Sequence, residues 1–249
     1  MQEKEKWFET WFDTSYYHIL YKNRNDNEAH NFVDNLIEYL EVTEKSTVLD
    51  LACGKGRHSI YLNKKNLSVL GLDLSEQSIA YAKQFENDTL KFDVHDMRKI
   101  YSNKSFDYVF NLFTSFGYFD DDNENQKAIN SMEKMLNKNG ILVIDFMNAV
   151  KTINNLVRNE KKTIDGIQFV LNRKVENNFI VKNIEFIDNG KKYSFQEKVK
   201  ALTLEDFKIF FMKANLELIK VFGNFNLEDF NENNSDRLIM ILKKGELVI

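Results

Sequence analysis

The stretch VLDLACGKGRHS, Val48 to Ser59, constrains this chain more than any other. An apolar run suited to a buried strand carries an acid, Asp50. Two glycines two apart follow, Gly54 and Gly56, and the next residues can open a helix. Glycine supplies positive φ and lets backbone N–H groups approach a ligand with no Cβ in the way. A strand, a glycine turn and a helix in that order belong to a sheet covered by helices, with the turn at its ligand-binding edge.

The flanking sequence extends the same alternation. The N-terminal stretch reads as helix, and Glu28 to Glu41 has Phe32, Leu36, Ile37 and Leu40 at helical spacings of three and four. Ser46 to Leu51, Leu67 to Leu72, Leu90 to Val94, Phe106 to Leu112 and Asn139 to Phe146 read as strands. Helices are expected at Arg57 to Lys64, after an N-cap at Ser75, and from Asp121 to Leu136. Near-continuous apolar strands alternating with helices predict a parallel sheet buried on both faces. After Val150 the rhythm changes. Lys162 to Val175, Phe179 to Ile187 and Lys191 to Ala201 read as three consecutive strands, with Asn177-Asn178 and Asp188 to Gly190 as hairpin turns. A capped helix from Thr203 and strands at Lys220 to Phe222 and Leu238 to Leu242 follow. The expected division is a core with N-terminal helices over residues 1–150, an antiparallel β insertion over 151–201, and a completing segment over 202–249.

The single cysteine, Cys53, excludes an internal disulfide and a cysteine zinc cage, and the four histidines share no metal spacing. No metal site is expected. The charged, amphipathic N-terminus lacks a signal-peptide core and no apolar run reaches membrane-spanning length, so the expectation is a cytoplasmic protein with no membrane partner. A net charge of −4 argues against nucleic acid. Residues 151–200 carry 11 basic and 6 acidic side chains, read as a solvated face of the insertion.

Three acids surround the glycine loop. Asp50 either organises the loop or bonds a ligand ammonium. Asp73 lies about 20 residues past the loop, where an acid chelates ribose hydroxyls. Asp96, in FDVHDMR, is placed to accept an adenine amino hydrogen, with Asp93 as its neighbour and rival. A dinucleotide loop reads G-x-G-x-x-G, but Ser59 holds the third position here. Acids in place of a phosphate cradle suit a cationic nucleoside, S-adenosylmethionine.

From Val48 to Asn148 the sequence resembles a class I S-adenosylmethionine-dependent methyltransferase, through VLDLACGKG, GLDLSEQSIAYAK, FDVHDM, FDYVFNLFTSFGYF and LNKNGILVIDF in that family's order. The resemblance implies a Rossmann-like α/β fold: seven strands, helices on both faces, the last strand antiparallel. The insertion after the fifth strand is similar in layout to that of small-molecule N-methyltransferases, including amino-sugar N,N-dimethyltransferases and glycine N-methyltransferase. It further implies that Asp50, Ala52, Gly54 and Gly56 line the methionine portion of S-adenosyl-L-methionine. Asp73 would hold the ribose, Leu74 the adenine face, and Asp96 and Met97 the adenine amino group and ring. Asn111 and Leu112 would lie under the sulfonium. Tyr16, Tyr17 and Tyr21 would close over the cofactor, with Arg24 on its carboxylate.

Candidate catalytic residues are Asn111, Tyr16 and Tyr17, and Phe113 to Phe119 is the candidate aromatic wall for a substrate. A neutral amine in a dry pocket needs no dedicated base, whereas an oxygen nucleophile does. The fourth-strand sequence NLFT lacks the Asn/Asp-Pro-Pro-aromatic signature of nucleic-acid amino methylases. The expected activity is therefore methylation of a small molecule, on nitrogen more than on oxygen. An NAD(P)-dependent oxidoreductase and a non-catalytic S-adenosylmethionine sensor are the alternatives, and a homo-oligomer stays open.

Overall fold

The computed structural model describes residues 7–22, 26–113 and 115–245. In chain order the elements are α1 (Trp7–Trp11), α2 (Ser15–Leu20), α3 (Asp26–Tyr39), β1 (Thr47–Leu51), α4 (Arg57–Lys64), β2 (Ser68–Asp73), α5 (Glu76–Ala82), β3 (Leu90–Val94), β4 (Phe106–Asn111), α6 (Asp122–Lys134) and β5 (Leu136–Met147). Then come α7 (Ala149–Asn154), β6 (Asn159–Ile164), β7 (Ile167–Glu176), β8 (Phe179–Asp188), β9 (Lys191–Lys200), α8 (Leu204–Lys213), β10 (Leu216–Phe222) and β11 (Arg237–Lys244).

Seven strands form one sheet in the order β10-β11-β5-β4-β1-β2-β3. Only β11 runs against its neighbours, antiparallel to both β5 and β10. Side-chain alternation feeds two cores, as a period of two requires. Leu49, Leu51, Leu142 and Ile144 face α6 and α8 in one cluster. Val48, Val69, Val143 and Ile241 face α3, α4 and α5 in the other. With β2 on one side of β1 and β4 on the other, the connections diverge at β1, and the crevice beyond its carboxyl end is the place such sheets bind ligands.

The insertion is a separate antiparallel sheet, β6-β7-β8-β9. It has four strands where three were expected, because Asp165-Gly166 breaks the Lys162 to Val175 run. Both residues have positive φ, 51° and 79°, and make a two-residue hairpin of the primed type, which this sheet repeats at Asn177-Asn178 and Asn189-Gly190. Three further boundaries differ. Helix α7 follows β5 unforeseen, β5 begins at Leu136 with a register shift opposite Phe106 and Tyr108, and β10 begins at Leu216. Trp11 and Leu20 from α1 and α2 pack on Phe169, Ile184 and Phe186, so the N-terminal helices are clamped to the insertion. Asp120 and Asp122, at the start of α6, pair with Lys198 and Lys200 of β9 and tie the same sheet to the core. Among the described residues no helix is long and apolar enough to cross a membrane, and no cluster of three His, Cys, Asp or Glu is placed to hold a metal ion.

Candidate active site

A cavity of about 880 Å³ opens at the carboxyl ends of β1, β2 and β4, with α1, α2 and β9 forming its other wall. That volume lies in the ~300–1,000 Å³ range of small-molecule sites.

The loop after β1 is left-handed at three positions: Ala52 (φ 64°), Gly54 (φ 56°) and Gly56 (φ 80°). The two glycines differ in purpose. A Cβ on Gly54 would meet no protein atom within 4 Å, and Gly54 lies on the cavity wall. A Cβ on Gly56 would sit 2.7 Å from the Phe92 ring. Gly56 is therefore a packing glycine at the start of α4, and it does not line the cavity as the resemblance implied. Ala52 and Cys53 do reach the wall.

Asp73 ends β2 on the wall. Its Oδ2 accepts from the Gly54 N–H and its Oδ1 from the Ser75 N–H, both at 2.8 Å. Burial raises its carboxyl above the ordinary range, against the opposing pull of these backbone donors. Ser75 caps α5 as expected, its Oγ accepting from the Ser78 N–H at 3.1 Å. Asp13, which no sequence signal singled out, accepts from Ser75 Oγ at 2.7 Å and pins the N-terminal segment across this edge.

Asp50 is 1% exposed and lies beneath the loop, away from the cavity wall. It accepts a 2.5 Å bond from Ser59 Oγ. Burial pushes its carboxyl up to about 6, only partly offset by that hydroxyl and reinforced by nearby Asp73. The loop-organising reading of Asp50 fits this position; direct contact with a ligand does not. Ser59, in the place of a third dinucleotide glycine, is fully buried as its partner.

After β3, Asp96 and Met97 line the cavity together with Leu74. Arg98 Nε donates to both Asp96 oxygens at 2.9 and 3.0 Å. Burial alone would raise the Asp96 carboxyl, but the Arg98 bonds outweigh it and hold it low. Asp93 instead accepts from the Tyr101 hydroxyl at 2.8 Å and is off the wall.

Asn111 is completely buried behind Leu112, which reaches the wall. Its Nδ2 donates to the Leu51 carbonyl at 2.8 Å, and its Oδ1 has no hydrogen-bond partner. Phe113 follows at φ 70°, a conformation that strains a bulky residue. Buried Asp145 holds it there, accepting from the Phe113 N–H at 2.8 Å and from Arg237 Nε at 2.7 Å. Of the aromatic segment, Phe113, Tyr118 and Phe119 face the cavity, whereas Phe116 packs on Phe207 in the core.

Tyr17 and Tyr21 line the far wall. Tyr16 does not: its hydroxyl donates to Asp188 at 2.9 Å and its ring packs on Phe186 and Tyr193, which withdraws it as a catalytic candidate. Arg24 lies outside the described residues. Glu197 of β9, missed in the sequence because nothing distinguishes one acid in an alternating strand, reaches the wall beside Tyr21.

Comparison with known proteins matches residues 43–208 to the family described as Methyltransferase domain. The dTDP-3-amino-3,4,6-trideoxy-alpha-D-glucopyranose N,N-dimethyltransferase of Streptomyces venezuelae is 33% identical over 103 residues, 41% of this chain and 43% of that protein. The chain spans about half the length of such curated relatives. An S-adenosylmethionine-dependent methyltransferase from Clostridium acetobutylicum ATCC 824 has a TM-score of 0.79 at 17% identity, with 93% of this chain and 96% of that one covered. The SAM-bound structure of CalS10, an amino pentose methyltransferase from Micromonospora echinaspora, has a TM-score of 0.71 at 18% identity, covering 93% and 97%. The chain belongs to the methyltransferase-domain family, with the fold of class I S-adenosyl-L-methionine-dependent methyltransferases.

Proposed function

We propose that this protein transfers a methyl group from S-adenosyl-L-methionine to a nitrogen of a small molecule. The observation that carries this reading is one cavity with two unlike walls. One is the Gly54–Asp73–Asp96 edge of the sheet; the other is built from aromatic residues of α1 and α2 and from β9. The residues fit the cofactor. Gly54 turns its unsubstituted face to open space on the cavity wall, and acids stand where a dinucleotide site needs a phosphate cradle.

In this reading Asp73 holds the ribose, Leu74 and Met97 flank the adenine, and Asp96, oriented by Arg98, takes its amino group. Ala52 and Gly54 border the methionine portion, with Asp50 and Gly56 shaping the loop from beneath. Leu112 covers the floor. When bound, the sulfonium supplies an activated methyl carbon. The protein then has to align a nucleophile with it and exclude water. Tyr17, Tyr21, Tyr118 and Phe119 serve the second task. The aromatic far wall and a volume in the small-molecule range support a small acceptor over a polymer, and the names of sugar N-methyltransferases among similar proteins support nitrogen. Incubation with labelled S-adenosylmethionine and a panel of small amines and alcohols, read by mass spectrometry, tests this. Methylated amines are expected; methyl transfer only to alcohols or to macromolecules would refute it.

A further inference from the structure

Six carboxylates line the cavity among the described residues. Asp96, Glu197 and Asp26 have cationic partners in Arg98, Lys182 and Arg57, and Asp73 is held by two backbone N–H groups. Glu76 stands exposed at the start of α5. Asp13 differs from all of these. It is half-buried between α1 and α2, in the N-terminal segment that forms the opposite wall. Its Oδ1 accepts both of its hydrogen bonds, from Ser75 Oγ at 2.7 Å and from the Gln77 N–H at 3.1 Å. Among the described residues Oδ2 has no hydrogen-bond partner, and no cation pairs with the carboxylate.

Asp73 and Asp13 meet on one residue. The Ser75 N–H donates to Asp73 Oδ1 at 2.8 Å, while the Ser75 hydroxyl donates to Asp13 Oδ1. Burial raises the Asp73 carboxyl, and the like charge of Asp13 adds to that rise. Fastening the N-terminal segment to α5 does not require this repulsion. An amide carbonyl at position 13 would accept the same two bonds without a second negative charge. A carboxylate with an unused oxygen beside another carboxylate suits a ligand that brings its own donors. On this edge of the cavity, the ligand group with two adjacent donors is the ribose.

We infer that Asp13 is a second ribose-binding carboxylate, carried by the N-terminal segment, whose Oδ2 accepts one ribose hydroxyl of the cofactor while Asp73 accepts the other. The ribose is thereby held between the sheet edge and the opposite wall, and the N-terminal segment is fastened over an occupied cavity. The inference rests on the methyl-transfer reading above and adds a cofactor contact from outside the sheet.

The test titrates the full-length protein calorimetrically with S-adenosylhomocysteine and with its 2′-deoxy and 3′-deoxy ribose analogues. The wild type is expected to bind each analogue about tenfold or more weakly than the parent, the value of a hydrogen bond to a charged group. Asp13→Asn keeps a carbonyl for Ser75 and Gln77. It should bind the parent more weakly by a similar factor, lose discrimination against one analogue and keep it against the other. A purely structural fastening predicts either unchanged affinity in this variant or an equal loss for all three ligands. Either result would overturn the assignment, as would a variant that still discriminates against both analogues. A second measurement needs no variant. At saturating S-adenosylhomocysteine, amide hydrogen exchange over residues 7–20 of the wild type should slow, and one of the two analogues should slow it less. Equal protection by all three ligands, or none by the parent, would also overturn it. Failure of the wild type to bind S-adenosylhomocysteine would refute the methyl-transfer reading instead.

Discussion

The Gly54 N–H donates to Asp73 Oδ2 at 2.8 Å, joining the glycine loop of β1 to the acid at the tip of β2. One carboxylate thus fixes the loop and faces the cavity. Asp73→Ala removes both functions. Cofactor affinity should fall about ten- to a hundredfold, the loss of a charged acceptor's bonds. Calorimetric titration with S-adenosylhomocysteine checks this.

Gly54 and Gly56 should separate binding from folding. Each alanine substitution carries the left-handed backbone cost, roughly 1–2 kcal/mol. Gly56→Ala also drives a methyl into Phe92, and such overpacking costs about 1–3 kcal/mol more. Gly56→Ala is therefore expected to lower the melting temperature more than Gly54→Ala. Gly54→Ala should lose more cofactor affinity, because its new methyl enters the cavity. Thermal unfolding and calorimetry on the same two variants test the contrast.

Asp50 gives a pH signature. Its carboxyl is raised in the folded protein to about 6, above the ~3.9 of an unfolded chain. The native state therefore holds the proton more tightly. Asp50 contributes stability below pH ~4 and loses it as pH rises through about 6, a change of up to about 3 kcal/mol. Asp50→Asn keeps a partner for Ser59 and removes the titration. Its stability relative to wild type should climb between pH 4 and 6 and then level off, as read by denaturant unfolding across that range. A flat difference would contradict the burial argument.

Tyr16 gives a negative control. Its hydroxyl points to Asp188 on the β8–β9 hairpin, off the cavity wall. Tyr16→Phe is expected to leave methyl transfer to the best amine of the panel at the wild-type rate. A large loss of turnover with unchanged folding would place the tyrosine nearer the chemistry than its contacts do.

Much of the sheet was legible because buried strands and helix caps leave local marks. β2 and β5 carry near-continuous apolar runs, and Ser75 and Thr203 cap α5 and α8 as their sequences indicate. The Asp165-Gly166 hairpin is hidden in the sequence because the polar, exposed β6 before it carries no strand-like apolar pattern, though the dipeptide itself is a strong turn signal. The cavity was half legible. Asp73, Asp96, Leu74 and Met97 follow strand ends and could be placed by counting. Asp50 and Gly56 lie in the same motif, yet one sits under the loop and the other packs on Phe92, depths that a linear pattern does not encode. Glu197 and Asp13 act through partners 176 and 62 residues away, which no local signal reveals.

Thermal unfolding in the presence of S-adenosylmethionine, S-adenosylhomocysteine, NAD and NADP tests the cofactor assignment most directly. A ligand at about a hundred times its dissociation constant stabilises the folded state by roughly 2.7 kcal/mol. For a chain of this size that raises the melting temperature by about 5–10 °C. A rise with the first two ligands and none with the nucleotides is the expected result. A rise with NAD or NADP alone would contradict methyl transfer and turn the Gly54–Asp73 edge into a hydride-transfer site.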